Sequence, residues 1–306
     1  MQPSTPDTVS AEAIAAMAAL QAGAPPTEAP SLEQTRAFAD GVQVQQGEAQ
    51  LRRFGVTTRQ DEIAGVPVRT FTPPGGAPPA DGAVLFNLHG GGFVVDSGSM
   101  TENIALAAAT GLPVVSALYR LAPEHPFPAA VDDALAVYAA LLRERPASRI
   151  GLYGTSAGAV LSAQLLQRVR DAGLAMPAAL GFFSGSADMA RDGDSETYSP
   201  RVAGGSLVEV LAPYAGDTPR RLPALSPIFG DLGDYPPTLV LSSTRDPLLS
   251  HSAMFHRALL AAGREAELIV FERLPHAFWA YIEAPETDEA FAHMSRFLLA
   301  CLDRAG

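Results

Sequence analysis

The sequence predicts an α/β protein with a mostly parallel central sheet covered on both faces. Two observations carry this. From residue 83 onward, short apolar runs alternate with longer segments whose apolar residues recur at helical spacing. The runs are mostly apolar rather than strictly alternating, as expected for strands buried on both faces.

The elements follow in order. Ser10–Gln21 reads as an Ala-rich helix capped by Ser10, and Ser31–Val44 as a second helix with Glu33 close behind its start. A Pro-rich connector, Gly23–Pro30, separates them. Val56–Ile63 and Val66–Phe71 predict two antiparallel strands around a turn near Gly65, followed by a Pro/Gly-rich loop over Pro73–Gly82. Strands are expected at Ala83–Leu88, Pro113–Leu118, Ile150–Tyr153, Ala178–Phe183, Thr238–Ser242 and Glu267–Phe271. Helices are expected at Pro128–Glu144, Ser156–Asp171, Ser250–Ala262 and Thr287–Leu302. Ala187–Leu222 breaks this rhythm. It is polar and Gly-rich, with a short helix expected at Ser206–Leu211, and a loop this long in a compact domain reads as a functional insertion.

Composition removes several function classes. The chain has 306 residues, a formal net charge of −12 and one cysteine, and all 21 of its Lys+Arg residues are arginine. Without lysine there is no Schiff-base amine, no Ser-x-x-Lys pair and no Walker-type phosphate lysine. The lone Cys301 can form neither an intramolecular disulfide nor a multi-cysteine zinc site, and reads as a packed thiol in the last helix. The acidic balance disfavours nucleic acid and anionic membranes and is read as favouring solubility. No apolar run reaches the length of a transmembrane helix, and Met1–Ser10 lacks a basic-then-apolar leader. The expectation is a cytoplasmic protein without integral membrane association.

Gly154-Thr155-Ser156-Ala157-Gly158 joins an expected strand to an expected helix, the setting of a nucleophile elbow. The bland alternative is a small-residue turn. His89-Gly90-Gly91-Gly92-Phe93 ends the strand Ala83–Leu88; consecutive glycines let backbone N–H groups face a cavity. Two such donors with the N–H after the nucleophile would make an oxyanion hole. A phosphate loop is the weaker reading, because lysine and the G-x-G-x-x-G spacing are missing. His89 is expected to hold the loop by a hydrogen bond rather than act as a base.

Asp246 and His276 each lie just past an expected strand end, in the chain order nucleophile, acid, histidine. Asp188, Asp231 and Asp234 remain other candidates for the acid. His125 lies in a proline-rich turn, while His251, His256 and His293 sit on expected helices as surface or packing residues. No histidine pair has ligand-like spacing with nearby acids, so no metal site is expected.

Taken together, HGGGF at His89–Phe93, YRLAPEHPFPAA at Tyr119–Ala130, GTSAG around Ser156, the Ser226–Leu239 stretch, DPL at Asp246–Leu248 and the later His276 resemble the hormone-sensitive-lipase-like esterases, bacterial family IV. The resemblance runs from about Gly65 to the C-terminus. It implies an α/β-hydrolase fold with about eight strands and a helical cap. The cap would comprise residues 1–50 and 187–222, with residues 51–186 and 223–306 as the catalytic core. It further implies a Ser156–His276–Asp246 triad, oxyanion donors at Gly91, Gly92 and Ala157, and a support network of Tyr119, Arg120, Glu124 and Asp132. Phe93, Phe278 and Trp279 flank these motifs and are expected either to line the acyl or alcohol pocket or to lie in the core. Three positions depart from the family: Thr155 where Asp is frequent, and Ala159 and Ala277 where Gly is frequent.

The expected activity is serine carboxylesterase action on short-to-medium acyl esters, with no cofactor and a small-molecule ester as partner. Lactones and acetylated small molecules fit the same triad. Some relatives of the fold only bind ligands, but here all three reacting residues are present. The resemblance also suggests homodimerisation through the last edge strand.

Overall fold

The antiparallel pair expected around Gly65 is β1 (Thr57–Ile63) and β2 (Val66–Thr72), in register from Thr57 opposite Thr72 to Ile63 opposite Val66. The computed structural model describes residues 8–21, 30–76, 82–198 and 206–304. Residues 1–7, nearly all of the Gly23–Pro30 connector, residues 77–81, residues 199–205 of the long interval and the last two residues lie outside the described ones.

The parallel strands follow at β3 (Val84–Leu88), β4 (Val114–Ala117), β5 (Ile150–Thr155), β6 (Ala179–Phe183), β7 (Thr238–Arg245) and β8 (Ala266–Pro275). Together they form one sheet in the order β1-β2-β4-β3-β5-β6-β7-β8, antiparallel at β1–β2 and β2–β4 and parallel elsewhere. The chain leaves β3 for β4 on one side and returns to β5 on the other. The strand order therefore reverses between β3 and β5, where such sheets open a crevice at their C-terminal ends.

Each buried strand feeds two cores. Val84, Phe86 and Leu88 of β3 enter one and Leu85 the other; in β6, Leu180 and Phe182 face opposite to Ala179 and Phe183. One face is covered by α4 (Ala129–Glu144), α5 (Ala157–Asp171) and α9 (Leu249–Ala261), the other by α3 (Thr101–Thr110) and α10 (Pro285–Arg304). Burial on both faces explains why β3–β6 are mostly apolar, and their polar side chains Asn87 and Ser116 are buried and bonded to each other.

Several elements differ from expectation. The first helix, α1 (Ala11–Gln21), starts as expected, with the Ser10 hydroxyl accepting the Ala13 N–H at 3.1 Å. The second, α2 (Leu32–Phe54), runs ten residues past Val44 to a left-handed Gly55. Its start is a capping box between Ser31 and Gln34. Only Gln43 and Gly47 are buried along it, so no apolar stripe marks its length. Helix α3 has no counterpart in the expected elements. Its first seven residues are all buried, including Glu102 and Asn103, so it lacks both an amphipathic period and a polar face.

Within the long interval lie three single turns, α6 (Ser195–Tyr198), α7 (Leu207–Val210) and α8 (Ala212–Ala215). Helix α1 docks on α10, where Glu286 accepts hydrogen bonds from the Ser10 N–H at 2.6 Å and hydroxyl at 2.7 Å. Helix α2 is tied by polar side chains instead. Arg36 donates to Val94 O at 2.8 Å, to Ala122 O at 2.9 Å and to both oxygens of Glu124. Gln43 donates to Asp96 O at 2.7 Å. Among the described residues, no helix is long and apolar enough to cross a membrane.

Candidate active site

The C-terminal ends of β3, β5, β7 and β8 converge on one cavity. β5 passes into α5 through Ser156, whose backbone has φ 58° and ψ −122°, a sparsely populated conformation for a residue with a side chain. Its N–H donates to Phe183 O at 2.8 Å, and its carbonyl accepts from Ala159 and Val160, so both flanks of the strained residue are held. The flanking glycines are needed for close approach. A Cβ at Gly154 would lie 2.3 Å from Gly158 O, and one at Gly158 would lie 1.8 Å from Leu88 O. Ala159 is accommodated because its neighbour is Gly185, where an added Cβ would come within 2.4 Å of the Ala159 methyl.

Ser156 Oγ is 2.9 Å from His276 Nε2, and His276 Nδ1 is 2.7 Å from Asp246 Oδ1. Asp246 follows directly on β7 and His276 on β8, so the two adjacent strands set their separation. Ala277 adopts the left-handed φ of 51° that glycine would favour, so the departure at this position keeps the turn. Asp246 is fully buried. Its Oδ1 also accepts the Leu248 N–H at 2.9 Å, and its Oδ2 accepts the Ser242 hydroxyl at 2.8 Å. Burial alone would raise this carboxyl, but the facing His276 and the hydrogen bonds it receives hold it below the ordinary carboxylate range. An ionised Asp246 is acceptor-only, so the Nδ1 proton points to it and Nε2 is free to accept from the Ser156 hydroxyl.

The glycine loop after β3 turns beside this chain. Gly91 has φ 119° and Gly92 φ 60°, and a Cβ at Gly91 would lie 2.0 Å from Val95 O. Gly91 O accepts the N–H groups of Val94 and Val95, closing the turn. Gly92 and Ala157 both line the cavity, and Ala157 begins α5, where N–H groups have no intrahelical partner. His89 is buried, bonds Gly90 O through Nδ1 at 2.8 Å and stacks on Tyr119 at 4.1 Å. The Tyr119 hydroxyl donates to His89 O at 2.6 Å. The other three support residues are each in an ion pair: Arg120 with Asp133, Asp132 with Arg168, and Glu124 with Arg36.

The cavity has a volume of ≈ 60 Å³. Besides Gly92, Ser156, Ala157 and His276, its walls include Val160, Glu196, Pro247 and Leu248, with Leu207, Val210 and Leu211 from α7 and its end. Of the two readings open for Phe93, Phe278 and Trp279, the pocket reading is corrected: none of the three is among these lining residues. Phe93 is fully buried against Tyr214, with ring centroids 3.5 Å apart. Phe278 is fully buried beside Phe271, and Trp279 is 3% exposed and donates to Glu102 Oε1 at 2.9 Å. Aromatic volume beside the glycine loop and the histidine turn supports them from behind. The wall is built instead from Val160, Pro247 and Leu248 beside the catalytic motifs and from the short helix expected at Ser206–Leu211.

The other candidate acids are engaged elsewhere: Asp188 with Arg191, and Asp231 and Asp234 with Arg170. His125 is exposed, His256 bonds Ala266 O at 3.2 Å, and His293 lies beside Glu289 and Arg296 on α10. His251 is buried against Glu196 and Ser186.

Glu102, on the unanticipated helix α3, is a buried titratable group behind the nucleophile turn. Burial pushes its carboxyl up to about 7, against the pull of Thr155, Trp279 and His276. Its folded form therefore holds a proton that the unfolded chain has already lost above pH 4.5. Stability is fully present below that pH and declines as pH rises towards 7, by about 3 kcal/mol in all. Glu102→Gln, which keeps an acceptor for Trp279, should flatten this slope. Urea unfolding at pH 5 and pH 8 should show the variant gaining on the wild type at pH 8; an equal difference at both pH values would refute the assignment.

The sequence pattern of the alpha/beta hydrolase fold family matches residues 85–280. An acetyl-hydrolase of Streptomyces hygroscopicus is 36% identical over 229 residues, covering 71% of this chain and 76% of that protein. Carboxylesterase NlhH of Mycobacterium tuberculosis is 31% identical over 239 residues, covering 72% and 74%. The crystal structure of an esterase from the bacterial hormone-sensitive lipase family is similar with a TM-score of 0.83 at 31% identity, covering 95% of this chain and 97% of that one.

Proposed function

The chain belongs to the α/β-hydrolase family, in its bacterial hormone-sensitive-lipase-like branch, and is a carboxylic ester hydrolase; from that premise we propose that it cleaves short-chain acyl esters through an acyl-enzyme on Ser156. The observation that carries this reading is the unbroken hydrogen-bond chain Asp246–His276–Ser156 at the mouth of a small apolar cavity.

His276 Nε2 takes the hydroxyl proton as Ser156 Oγ attacks the ester carbonyl. The ionised Asp246 stabilises the resulting imidazolium. Backbone N–H groups of Gly91, Gly92 and Ala157 receive the developing oxyanion, each worth roughly 2.7–4 kcal/mol of transition-state stabilisation. His276 then gives its proton to the departing alcohol. Water enters, loses a proton to the same nitrogen and releases the acid. No step calls for a metal or organic cofactor.

The small cavity, walled by Leu207, Val210, Leu211 and Leu248, favours short acyl groups. The acetyl-hydrolase relative points the same way. Residues 1–50 and 187–222 are proposed as the cap over the core, with Glu196 of α6 and Leu207, Val210 and Leu211 at α7 as its described contacts with the cavity. A p-nitrophenyl ester series from two to sixteen carbons should give kcat/KM highest at two to four and falling steeply beyond six. An organophosphate should label Ser156 with one equivalent per chain. Labelling elsewhere, or an optimum above ten carbons, would defeat the proposal.

A further inference from the structure

Ser186, His251 and Glu196 form a second hydrogen-bonded chain of serine, histidine and acid, buried beside the cavity. The distances are 2.9 Å from Ser186 Oγ to His251 Nδ1 and 2.8 Å from His251 Nε2 to Glu196 Oε1. Proton accounting separates it from the first. The single Ser186 hydroxyl proton donates to Asp188 O at 2.7 Å, and the oxygen accepts the Asp188 N–H at 3.0 Å. The contact with Nδ1 therefore takes its proton from the imidazole, and Ser186 has none to give to a base. Being fully buried, Ser186 also has no approach for a substrate.

At the other end, Glu196 Oε1 accepts the Gly193 N–H at 2.6 Å and Oε2 accepts the Leu207 N–H at 2.6 Å. One proton lies between Oε1 and His251 Nε2. Whichever atom holds it, the pair has no net charge, which suits a site in an apolar wall. Its reach is what matters. Glu196 belongs to α6, Leu207 opens α7, and His251 is fixed on α9 of the core. The carboxylate thus joins both sides of the interval between α6 and α7 and fastens them to the body of the protein.

The far end of the same segment is fixed independently. Tyr214 stacks on Phe93, and its hydroxyl donates to Gln164 Oε1 at 2.7 Å. Between the two anchors, Leu207, Val210 and Leu211 close the cavity, and a Cβ at Gly92 would lie 4.0 Å from Val210 Cγ1. We propose that Glu196 and His251 are a buried clasp that holds α7 against the cavity, making them positioning residues for acyl-chain length; this rests on the short-chain esterase reading above.

Glu196→Gln tests it sharply. Both carboxylate oxygens accept backbone N–H groups, so the amide NH2 must face a donor in either orientation. Amides at 207–211 should exchange with deuterium about tenfold faster than in the wild type. The ratio of kcat/KM for p-nitrophenyl hexanoate to that for the acetate should rise about tenfold, mostly through a lower hexanoate KM. Val210→Ala, which trims the wall with the clasp intact, should raise the ratio without speeding exchange, and serves if Glu196→Gln does not fold. Unchanged exchange in Glu196→Gln, or an unchanged ratio in either folded variant, overturns the proposal. A wild type that cleaves no ester defeats the esterase reading instead, while the exchange measurement still reads the clasp.

Discussion

Ser156→Ala should lower kcat on p-nitrophenyl acetate by about 10⁶ while leaving the folded structure in place. The fold should survive because the hydroxyl has one partner, His276, whereas the backbone of residue 156 is held by Phe183 O, Ala159 N and Val160 N whatever the side chain. Alanine carries the same Cβ as serine and so inherits the same positive-φ strain, neither relieving nor increasing it. Stability should therefore stay within about 1 kcal/mol of the wild type. The residual rate should exceed that in water by about 10³, because the glycine-loop donors and the cavity remain. Turnover within tenfold of the wild type, with intact cooperative unfolding, would show that Ser156 is not the nucleophile.

What could be read from the sequence was what local chemistry demands. The elbow glycines, the glycine triplet and the residues just past strand ends are each constrained by near neighbours in sequence. Apolar runs at β3, β5 and β6 carried the sheet because both faces of those strands are buried. Polar tertiary contacts had no such signature. Helix α2 is long but buries only Gln43 and Gly47, and it is held to the core by Arg36 and Gln43 across intervals of 58 and 53 residues. Helix α3 is buried nearly all round, so its period is invisible and Glu102 gave no warning.

The cavity illustrates the same limit. Aromatic residues adjoining the motifs could be read as pocket lining or as core; Phe93, Phe278 and Trp279 pack behind the elbow and histidine turns, and smaller aliphatic residues of α7 face the cavity. Adjacency in sequence fixes where a residue's backbone is. On a tight turn it does not fix which side the side chain takes. Glu196 and His251 could not be paired in advance either, since 55 residues, including α7, α8 and β7, separate them.

Asp246→Ala and Asp246→Asn should differ, and the difference reports how His276 is held. The alanine variant loses the acceptor for Nδ1–H, freeing both the ring and its tautomer, and kcat should fall on the order of 10⁴. In the asparagine variant the Leu248 N–H, 2.9 Å from Oδ1, selects the amide oxygen for that position. The same oxygen faces His276 Nδ1 at 2.7 Å, so the productive tautomer survives. The NH2 group then falls beside Ser242 Oγ, which turns from donor to acceptor. Only the negative charge is lost, weakening stabilisation of the imidazolium, and the decrease should be about 10²–10³. Steady-state kinetics on p-nitrophenyl acetate from pH 6 to 10 would separate the cases. A flipped amide would force the Nδ1-acceptor tautomer, lower kcat by about 10⁴ and let activity recover as hydroxide concentration rises. Equal losses in the two variants would mean that the Leu248 N–H does not orient residue 246.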